Sequence, residues 1–378
     1  MSVLAIMMIM IGIVTVMLVV NWAYLVLVSR HTLRLSDTLA LTAVSQLLDE
    51  EVLEDSGLFN QGDDITAAED EILMPGTGFL DRNNAASGPT LRPDASQVFV
   101  VPGRIEDASQ PVGPTDFNKT PAANEPYNSL RVEIYRDPDP LGVKPVQLMF
   151  RGQGSPETAK ITSASLATLD SRVVGFYPTS TVNAPLAPLA IESNAWFNVR
   201  PAIGTDTALP DGRLELDFTL QSTSGMGPVN SALISMNNLP LNTAAVENQI
   251  LFGIGPADVN GMFGPLTAAS PLAFDSTQVS PAGDLNDIAD AFDDIANSNN
   301  PRRAFPIYDS ATNPLSIVGF IGARVIEADA ANGGFGPRLR VRLQPEFIVH
   351  STVETQFELP AATTVPENLY IHKIRLTR

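Results

Sequence analysis

The sequence predicts an α+β protein, in which one N-terminal transmembrane and stalk helix precedes a β-rich domain of mainly antiparallel strands with a few short helices. Three observations predict this class. A long apolar run opens the chain, 30 Pro and 26 Gly residues separate short apolar segments after it, and strand patterns do not alternate regularly with helical ones. With 378 residues, of which 44% are hydrophobic, the chain can bury one large core or two moderate ones.

In the apolar run, residues 4–28, Asn21 is the only strongly polar side chain. The run exceeds the ~20 residues that cross a bilayer core. It is longer than the apolar stretch of a secretory signal peptide and lacks the basic start of one. An all-round apolar helix of this length is typical of a membrane span rather than of a buried core helix. The predicted anchor is marked by Leu4, Ile11, Val20, Trp22, Tyr24 and Val28.

The flanks of the run give mixed signals about orientation. Trp22 and Tyr24 lie toward its end, where aromatic rings favour the lipid–water interface, and Arg30 and Arg34 follow them. Positive charges on this side favour a cytoplasmic domain, but the tendency is weak for long translocated domains.

A stalk is predicted directly after the span. Apolar residues there recur at i, i+3, i+7 and i+11, which indicates an amphipathic helix that continues the anchor and stops at Gly57. We therefore expect one helix of about 50 residues, whose second half docks on its own domain or on a neighbour. The stalk face consists of Leu41, Val44, Leu48 and Val52.

Turn-forming residues divide the remainder of the chain. The predicted divisions are a transmembrane and stalk helix at 1–57, a loop-rich acidic segment at 58–125, a first β-rich subdomain at 126–200 and a second one at 201–378. The loop-rich segment contains one short strand near 98–101. Prolines in 178–201 argue against a central strand there and suggest a bridge between two halves.

Alternating apolar residues predict the main strands. Short strands are expected at 147–150, 160–166 and 173–177, a central strand at 316–326, and a solvated edge strand at 369–378. A helix near 284–297 carries an apolar stripe and an acidic face that we expect to be solvated. The alternating sets are Leu130, Val132 and Ile134; Leu214, Leu216, Phe218 and Leu220; and Leu339, Val341 and Leu343.

Composition argues against several function classes. The net charge of -19 repels phosphate, so no nucleic acid partner is expected. The chain has no Cys, which rules out a thiolate metal site and a disulfide framework, and its three His make a multi-His site improbable. We predict no cofactor.

Possible chemical sites have simpler interpretations. The glycine loop at 253–258 lacks the third Gly of a dinucleotide fingerprint and carries a Pro where a helix should open, which favours a tight turn. His350 beside Ser351 lacks the nucleophile elbow of a serine hydrolase. Acidic pairs at 63–64, 137–139 and 293–294 suit calcium chemically but show no EF-hand pattern. No catalytic or metal-binding residue is predicted.

Segment 21–48, NWAYLVLVSRHTLRLSDTLALTAVSQLL, resembles the N-terminal region of TadG-like proteins of the Tad/Flp pilus-assembly system. In that family an apolar span leads into an Asp-Ala-Ala-Ala-Leu-Ala-type helix. Asp37, Leu39, Ala40, Leu41 and Ala43 stand in for that helix, with Thr38 and Thr42 between them. NAPLAPLAI at 183–191, NQILFGIGPAD at 248–258 and SIVGFIGARVIEA at 316–328 are similar to segments of long planctomycete-type members.

The resemblance implies a membrane-anchored structural or assembly protein of a Tad/Flp-type pilus or related envelope apparatus. It implies a single-pass inner-membrane protein whose C-terminal domain lies in the periplasm or at the cell surface, with membrane lipid and other pilus or envelope proteins as partners. Many members carry a von Willebrand A-type domain with an Asp-x-Ser-x-Ser metal loop, which this sequence lacks. Two alternatives remain: an envelope binding module or adhesin that binds calcium or glycans, and a membrane-tethered hydrolase.

Overall fold

The structure, a computed structural model, describes residues 3–48, 53, 61–75, 77–84, 93–106, 116–122, 125–136, 146–150, 158–196, 208–209, 213–221, 230–234, 243–259, 282–309, 316–333, 336–355 and 368–377. It confirms the predicted class, because a long apolar helix leads into a domain of mostly antiparallel sheets with a few short helices. Contacts between Cα atoms divide the chain into two units. The first is Met1–Leu48, Asn60–Leu169 and Arg375–Arg378, and the second is Asp49–Phe59 and Asp170–Ile374.

Helix α1 (Val3–Val44) dominates the first unit, and a 3₁₀ turn (Ser45–Leu47) follows it. The helix ends earlier than the sequence predicted, because Leu48 has extended backbone (φ −76°, ψ 97°). Gly57, the predicted stop, and Val52 lie outside the described residues. Apolar periodicity alone continued past Leu48, so it carried no signal for this break.

The rest of the first unit is a small antiparallel sheet with two short helices. Strand β2 lies between β1 and β5, and helix α1 packs across β2. Leu130, Val132 and Ile134 of β2 are fully buried, as their alternation predicted. The elements are α2 (Gly62–Leu73), α3 (Phe79–Asn84), β1 (Val98–Gly103), β2 (Ser129–Arg136), β3 (Val146–Gln147), β4 (Thr158–Ala159) and β5 (Ile161–Asp170).

Two expectations for this unit need correction. The segment predicted as loop-rich contains helices α2 and α3. The apolar residues of GDDITAAEDEIL are too sparse to indicate α2. Asp63 and Asp64 in the first turn of α2 stabilise this helix by interacting with the helix dipole. The strand expected at 147–150 is reduced to the two residues of β3, and its following residues 148–150 form a loop beside helix α1.

A six-stranded sheet forms the centre of the second unit, in the order β8, β12, β11, β10, β7, β9. The elements are β6 (Val173–Phe176), β7 (Leu189–Glu192), β8 (Leu216–Gln221), β9 (Ser231–Leu233), α4 (Thr243–Phe252), α5 (Ala282–Ala296), β10 (Arg302–Asp309), β11 (Ser316–Gly333), β12 (Gly336–Pro345), β13 (Ile348–Val349), β14 (Val353–Thr355) and β15 (Ile371–Thr377). The predicted central strand is confirmed, since β11 pairs with β10 and β12 on its two sides.

The two alternating sets of this sheet face each other across neighbouring strands. Leu339, Val341 and Leu343 of β12 are opposite Leu220, Phe218 and Leu216 of β8, and all six side chains are buried. Cross-strand apolar pairs of this kind are the basic unit of sheet stability. Their alternation was readable from the sequence, whereas their pairing required the fold.

Three further expectations for the second unit are corrected. Strand β7 lies inside the sheet, between β10 and β9, because the prolines at 185 and 188 precede it rather than fall within it. The acidic face of α5 is partly engaged, since Asp293 Oδ1 accepts a hydrogen bond of 2.8 Å from the backbone N–H of Ala328. The C-terminal strand β15 is not an edge, because it has β13 on one side and β5 on the other.

Candidate membrane junction

The first part of helix α1, Val3–Val20, is apolar and mostly exposed, and we call it the bare helix. Within Val3–Leu47, which is the helix with its terminal turn, the most apolar 18 consecutive residues have a mean hydropathy of 3.0. None of these residues is buried. Leu4 and Ile11 are 70% and 57% exposed. The one hydroxyl in this stretch, on Thr15, donates to the Ile11 carbonyl at 2.8 Å, so it adds no unpaired polar group. This helix is long and apolar enough to span a membrane.

About two-thirds of the way along the predicted span, near Asn21, the helix begins to pack on the rest of the chain. Val28 is fully buried in a cluster with Val146 and Ile161, against which Tyr24 and Leu25 also pack. Two of the residues predicted to meet lipid, Tyr24 and Val28, therefore pack on the protein itself. A hydropathy pattern does not distinguish lipid from protein contact, because both bury apolar surface.

Asn21 lies at the change from bare to packed helix. Its side-chain Nδ2 donates to the Phe150 carbonyl, and its Oδ1 accepts from the Phe150 N–H, both at 3.0 Å. The amide thus pairs with one residue's backbone in the way that a neighbouring strand would. Asn21 is the polar exception in the apolar run, but no sequence pattern points to Phe150, which is 129 positions away.

Beyond Val28 the contact between α1 and β5 becomes polar. The Ser165 hydroxyl donates to Asp37 Oδ1 at 2.6 Å and lies 2.8 Å from the Ser36 hydroxyl. One step along the strand, the Ser163 hydroxyl donates to the Thr32 carbonyl at 3.3 Å. Ser163 and Ser165 are two residues apart on β5 and point to the same face, so their bonds fix the register of the helix on the sheet.

The buried face of α1 differs from the predicted stalk face. Val44 is fully buried, but Leu41 is 36% exposed and Leu48 is half-buried. The observed face recurs at three to four residues and includes two alanines that bring the helix axis close to the sheet. It consists of Val28, Thr32, Leu35, Ser36, Leu39, Ala40, Ala43, Val44 and Leu47.

The segment that carries the family resemblance coincides with this packed part of the helix. It starts at the Asn21 contact and ends at Leu48, where the backbone becomes extended. Asp37, the acidic residue of the resemblance, accepts the hydrogen bond from Ser165. The small residues after it, Ala40 and Ala43, are fully buried.

A buried cation lies at the end of β2, near the same junction. Arg136 is 6% exposed, and burial lowers the pKa of its guanidinium, an effect that the Tyr24 phenol partly opposes. A guanidinium keeps its proton under such conditions. Arg136 therefore contributes a fixed positive charge beside the apolar cluster, since it is paired with Ile161 across β2 and β5.

The acidic pairs do not form a metal centre in the described part of the chain. Within it, no group of three or more His, Asp or Glu side chains is placed to hold an ion. Asp63 and Asp64 lie in the first turn of α2, and Asp293 bonds to Ala328. The pair Asp137 and Asp139 lies outside the described residues.

His350 is held by structural hydrogen bonds. Its Nδ1 lies 2.8 Å from the Thr352 hydroxyl and 3.3 Å from the Thr352 backbone nitrogen, which donates to it. The neighbouring Ser351 is exposed. Burial lowers the pKa of His350, which keeps its ring neutral as the acceptor of the Thr352 amide.

The glycine loop at 253–258 is a tight turn, as predicted, and it ends helix α4, which was not predicted. It follows the last residue of α4, and Gly253 has a left-handed backbone (φ 77°) of the kind that ends helices. Asp258 closes the turn by accepting from the Gly255 N–H at 2.8 Å and from Gln249 Nε2 at 3.0 Å. Ile254 then pairs with Ala184, which joins two of the segments of the resemblance.

Comparison with family models, with curated proteins and with solved structures finds no match to this chain.

Proposed function

We propose that this chain is a single-pass structural or assembly protein of a Tad/Flp-type pilus or related envelope apparatus. Its N-terminal helix holds it in the inner membrane, and its β-rich domain lies in the periplasm or at the cell surface. It acts through protein–protein contacts with other pilus or envelope proteins, with no catalytic step.

The observation that carries this proposal is the division of one continuous helix into a bare half and a packed half. Residues before Asn21 expose apolar side chains, whereas those from Val28 onward bury them against the chain's own sheet. Pilin-like subunits are built on such a plan, with one helix serving both as membrane anchor and as part of the domain core.

The family assignment is supported by residues with distinct structural roles. The Asp37 carboxylate accepts a hydrogen bond from Ser165, Ala40 and Ala43 lie on the packed face, and the strings at 183–191 and 248–258 meet at the pairing of Ala184 with Ile254. These are the strings whose similarity to TadG-like proteins motivates the proposal.

Export of the domain is proposed against one opposing signal. Arg30 and Arg34 are exposed and follow the anchor, where the positive-inside tendency would favour the cytoplasm. Long translocated domains follow that tendency poorly, and the domain here extends over more than 300 residues. We therefore give the family resemblance the greater weight.

Topology is tested by cysteine labelling, because the chain has no Cys of its own. The full-length chain carrying Glu69→Cys, at an exposed position of α2, is treated with a membrane-impermeant maleimide in intact cells, in outer-membrane-permeabilised cells and in inverted inner-membrane vesicles. We expect labelling in permeabilised or intact cells. Labelling restricted to inverted vesicles would place the domain in the cytoplasm and overturn the proposal.

The assembly role has its own test in the source cell. Deletion of the gene should abolish or reduce surface filaments counted by electron microscopy, and the wild-type gene should restore them. A His350→Ala gene should restore them equally, because the proposal requires no general base. Filaments that are unchanged by the deletion would contradict the assembly role even if the topology is as proposed.

A further inference from the structure

Exposed apolar side chains surround the Asn21 contact. Trp22 is 69% exposed on the helix, and Met149 and Phe150, in the loop after β3, are 63% and 39% exposed. Large apolar side chains in loops are usually buried. A group of exposed ones marks a surface that contacts another molecule or a membrane. The position of this group along the helix indicates what it contacts.

That position follows from the length of the bare helix. At about 1.5 Å per residue, the stretch Val3–Val20 spans about 27 Å, close to the ~30 Å of a bilayer's hydrocarbon core. When this stretch spans the membrane, Asn21 and Trp22 reach the lipid–water interface. Because Asn21 is bonded to both backbone groups of Phe150, the loop lies at the same depth.

We propose that Met149 and Phe150 insert into the interfacial layer of the bilayer that the helix spans, and form with Trp22 a second lipid contact. This inference rests on the membrane anchoring proposed above. It adds a lipid-binding site on the domain itself. In the sequence, Phe150 of this site is 129 positions from Asn21.

The polar groups at this site favour insertion. Both polar atoms of the Asn21 side chain and both backbone groups of Phe150 are paired with each other, so none needs a water molecule. The side chains of Met149 and Phe150 remain free to leave water, which is favourable in proportion to the apolar area removed. Trp22 is of the residue type most enriched at this depth of a membrane.

Lipid is a better occupant than a protein partner because the exposed side chains lie next to the exposed apolar helix. Trp22 directly follows Asn21 on that helix, and the loop is hydrogen-bonded to Asn21. A single helix leaves a domain free to turn about the helix axis, whereas a second contact to one side of the axis opposes that rotation. The site therefore orients the first unit relative to the membrane.

The test uses single cysteines in the full-length chain, labelled with an environment-sensitive fluorophore and reconstituted into phosphatidylcholine–phosphatidylglycerol vesicles. The three positions are Val14 in the bare helix, Met149 in the loop and Glu69 on α2, which packs on the turn at the far end of α1. Nitroxide-bearing lipids then quench any fluorophore in contact with the bilayer, and the position of the nitroxide reports its depth.

We expect quenching at Val14→Cys by deep nitroxides, quenching and a blue-shifted emission at Met149→Cys by shallow nitroxides, and neither at Glu69→Cys. A Met149 label that behaves like the Glu69 label while the Val14 label is quenched would overturn this inference and leave the anchor intact. Absence of quenching at Val14 would overturn both.

The role of Asn21 is tested in the same assay with a matched pair of substitutions. Asn21→Leu removes both bonds to the loop, and Thr15→Val removes only a bond within the helix. We expect Asn21→Leu to reduce shallow quenching of the Met149 label and Thr15→Val to leave it unchanged. Equal quenching in the two variants would show that Asn21 does not hold the loop at the membrane.

Discussion

At the scale of single residues, two polar side chains in apolar surroundings differ in how fully they are paired. The Asn21 amide has both polar atoms bonded to Phe150. His372 has Nε2 bonded to the Leu369 carbonyl at 3.2 Å, whereas its Nδ1 is buried and has no hydrogen-bond partner in the described part of the chain. The first arrangement is stable at any pH, and the second depends on the ring remaining neutral.

We expect His372 to make the stability of the second unit dependent on pH. Burial lowers its pKa from 6.5 to about 4, although the Leu369 carbonyl and the Asp170 carboxylate act in the opposite direction. Since the unfolded ring binds a proton at higher pH than the folded one, the neutral ring's contribution is complete above pH 6.5 and is lost as the pH falls toward 4. The ring also packs edge-on against Phe347, which leaves little space for water to hydrate the charged form of the ring.

We expect the free energy of unfolding to fall between pH 7 and pH 4.5 and the fall to be smaller in His372→Gln. Urea denaturation of both proteins at the two pH values measures this difference, and carboxylate titration common to both cancels in the comparison. An equal fall in both proteins would contradict the role assigned to His372.

At the scale of elements, helix α1 passes through three different environments along its length. It is bare before Asn21, packs on an apolar cluster around Val28, and meets the hydroxyls of β5 from Thr32 to Asp37. Polar side chains become frequent in the sequence from Ser29 onward, but Tyr24 and Val28 already pack on protein within the apolar run. The environment of each turn therefore depends on what the fold places beside it as well as on residue type.

The end of helix α4 is fixed by a glycine and an arginine. Gly253 takes the left-handed conformation, and the Arg303 guanidinium donates to the carbonyls of Ile250 and Leu251 at 3.1 and 2.7 Å. Carbonyls in the last turn lack partners within the helix, so a buried cation there satisfies them and interacts favourably with the helix dipole. A Cβ at Gly253 would collide with the Ala184 carbonyl oxygen.

Gly253→Ala is expected to destabilise the second unit by about 2–4 kcal/mol, because it combines a left-handed backbone with a backbone collision. Gly319→Ala is the matched control, since a Cβ at Gly319 would meet no described atom within 4 Å. Chemical denaturation of both variants measures the difference. Equal stabilities would show that the turn relaxes at little cost.

At the scale of the whole molecule, one helix is long and apolar enough to span a membrane and also completes the core of the first unit. Residues 3–20 make few contacts with the rest of the chain, whereas Val28, Leu39 and Val44 are fully buried. Anchoring and folding should therefore separate at Asn21.

Removal of residues 1–20 is expected to give a protein that folds and no longer floats with vesicles. Removal of residues 1–44 should prevent the first unit from folding, because it deletes several buried side chains worth about 1.5–3 kcal/mol each. Circular dichroism, thermal unfolding and vesicle flotation of the two truncated proteins distinguish these outcomes. A shorter truncation that aggregates or fails to unfold cooperatively would contradict the separation.

The sequence by itself determined the fold class, the N-terminal helix apolar enough to span a membrane, and the alternating strands such as Leu130, Val132 and Ile134, because local periodicity and hydropathy specify which residues must leave water. The tertiary structure decided which surface receives them. It placed Val28 against Val146 rather than lipid, exposed Leu41, bonded Asn21 to Phe150 and put β7 and β15 inside sheets. These features depend on residues far apart in the chain, and no local pattern encodes such a partner.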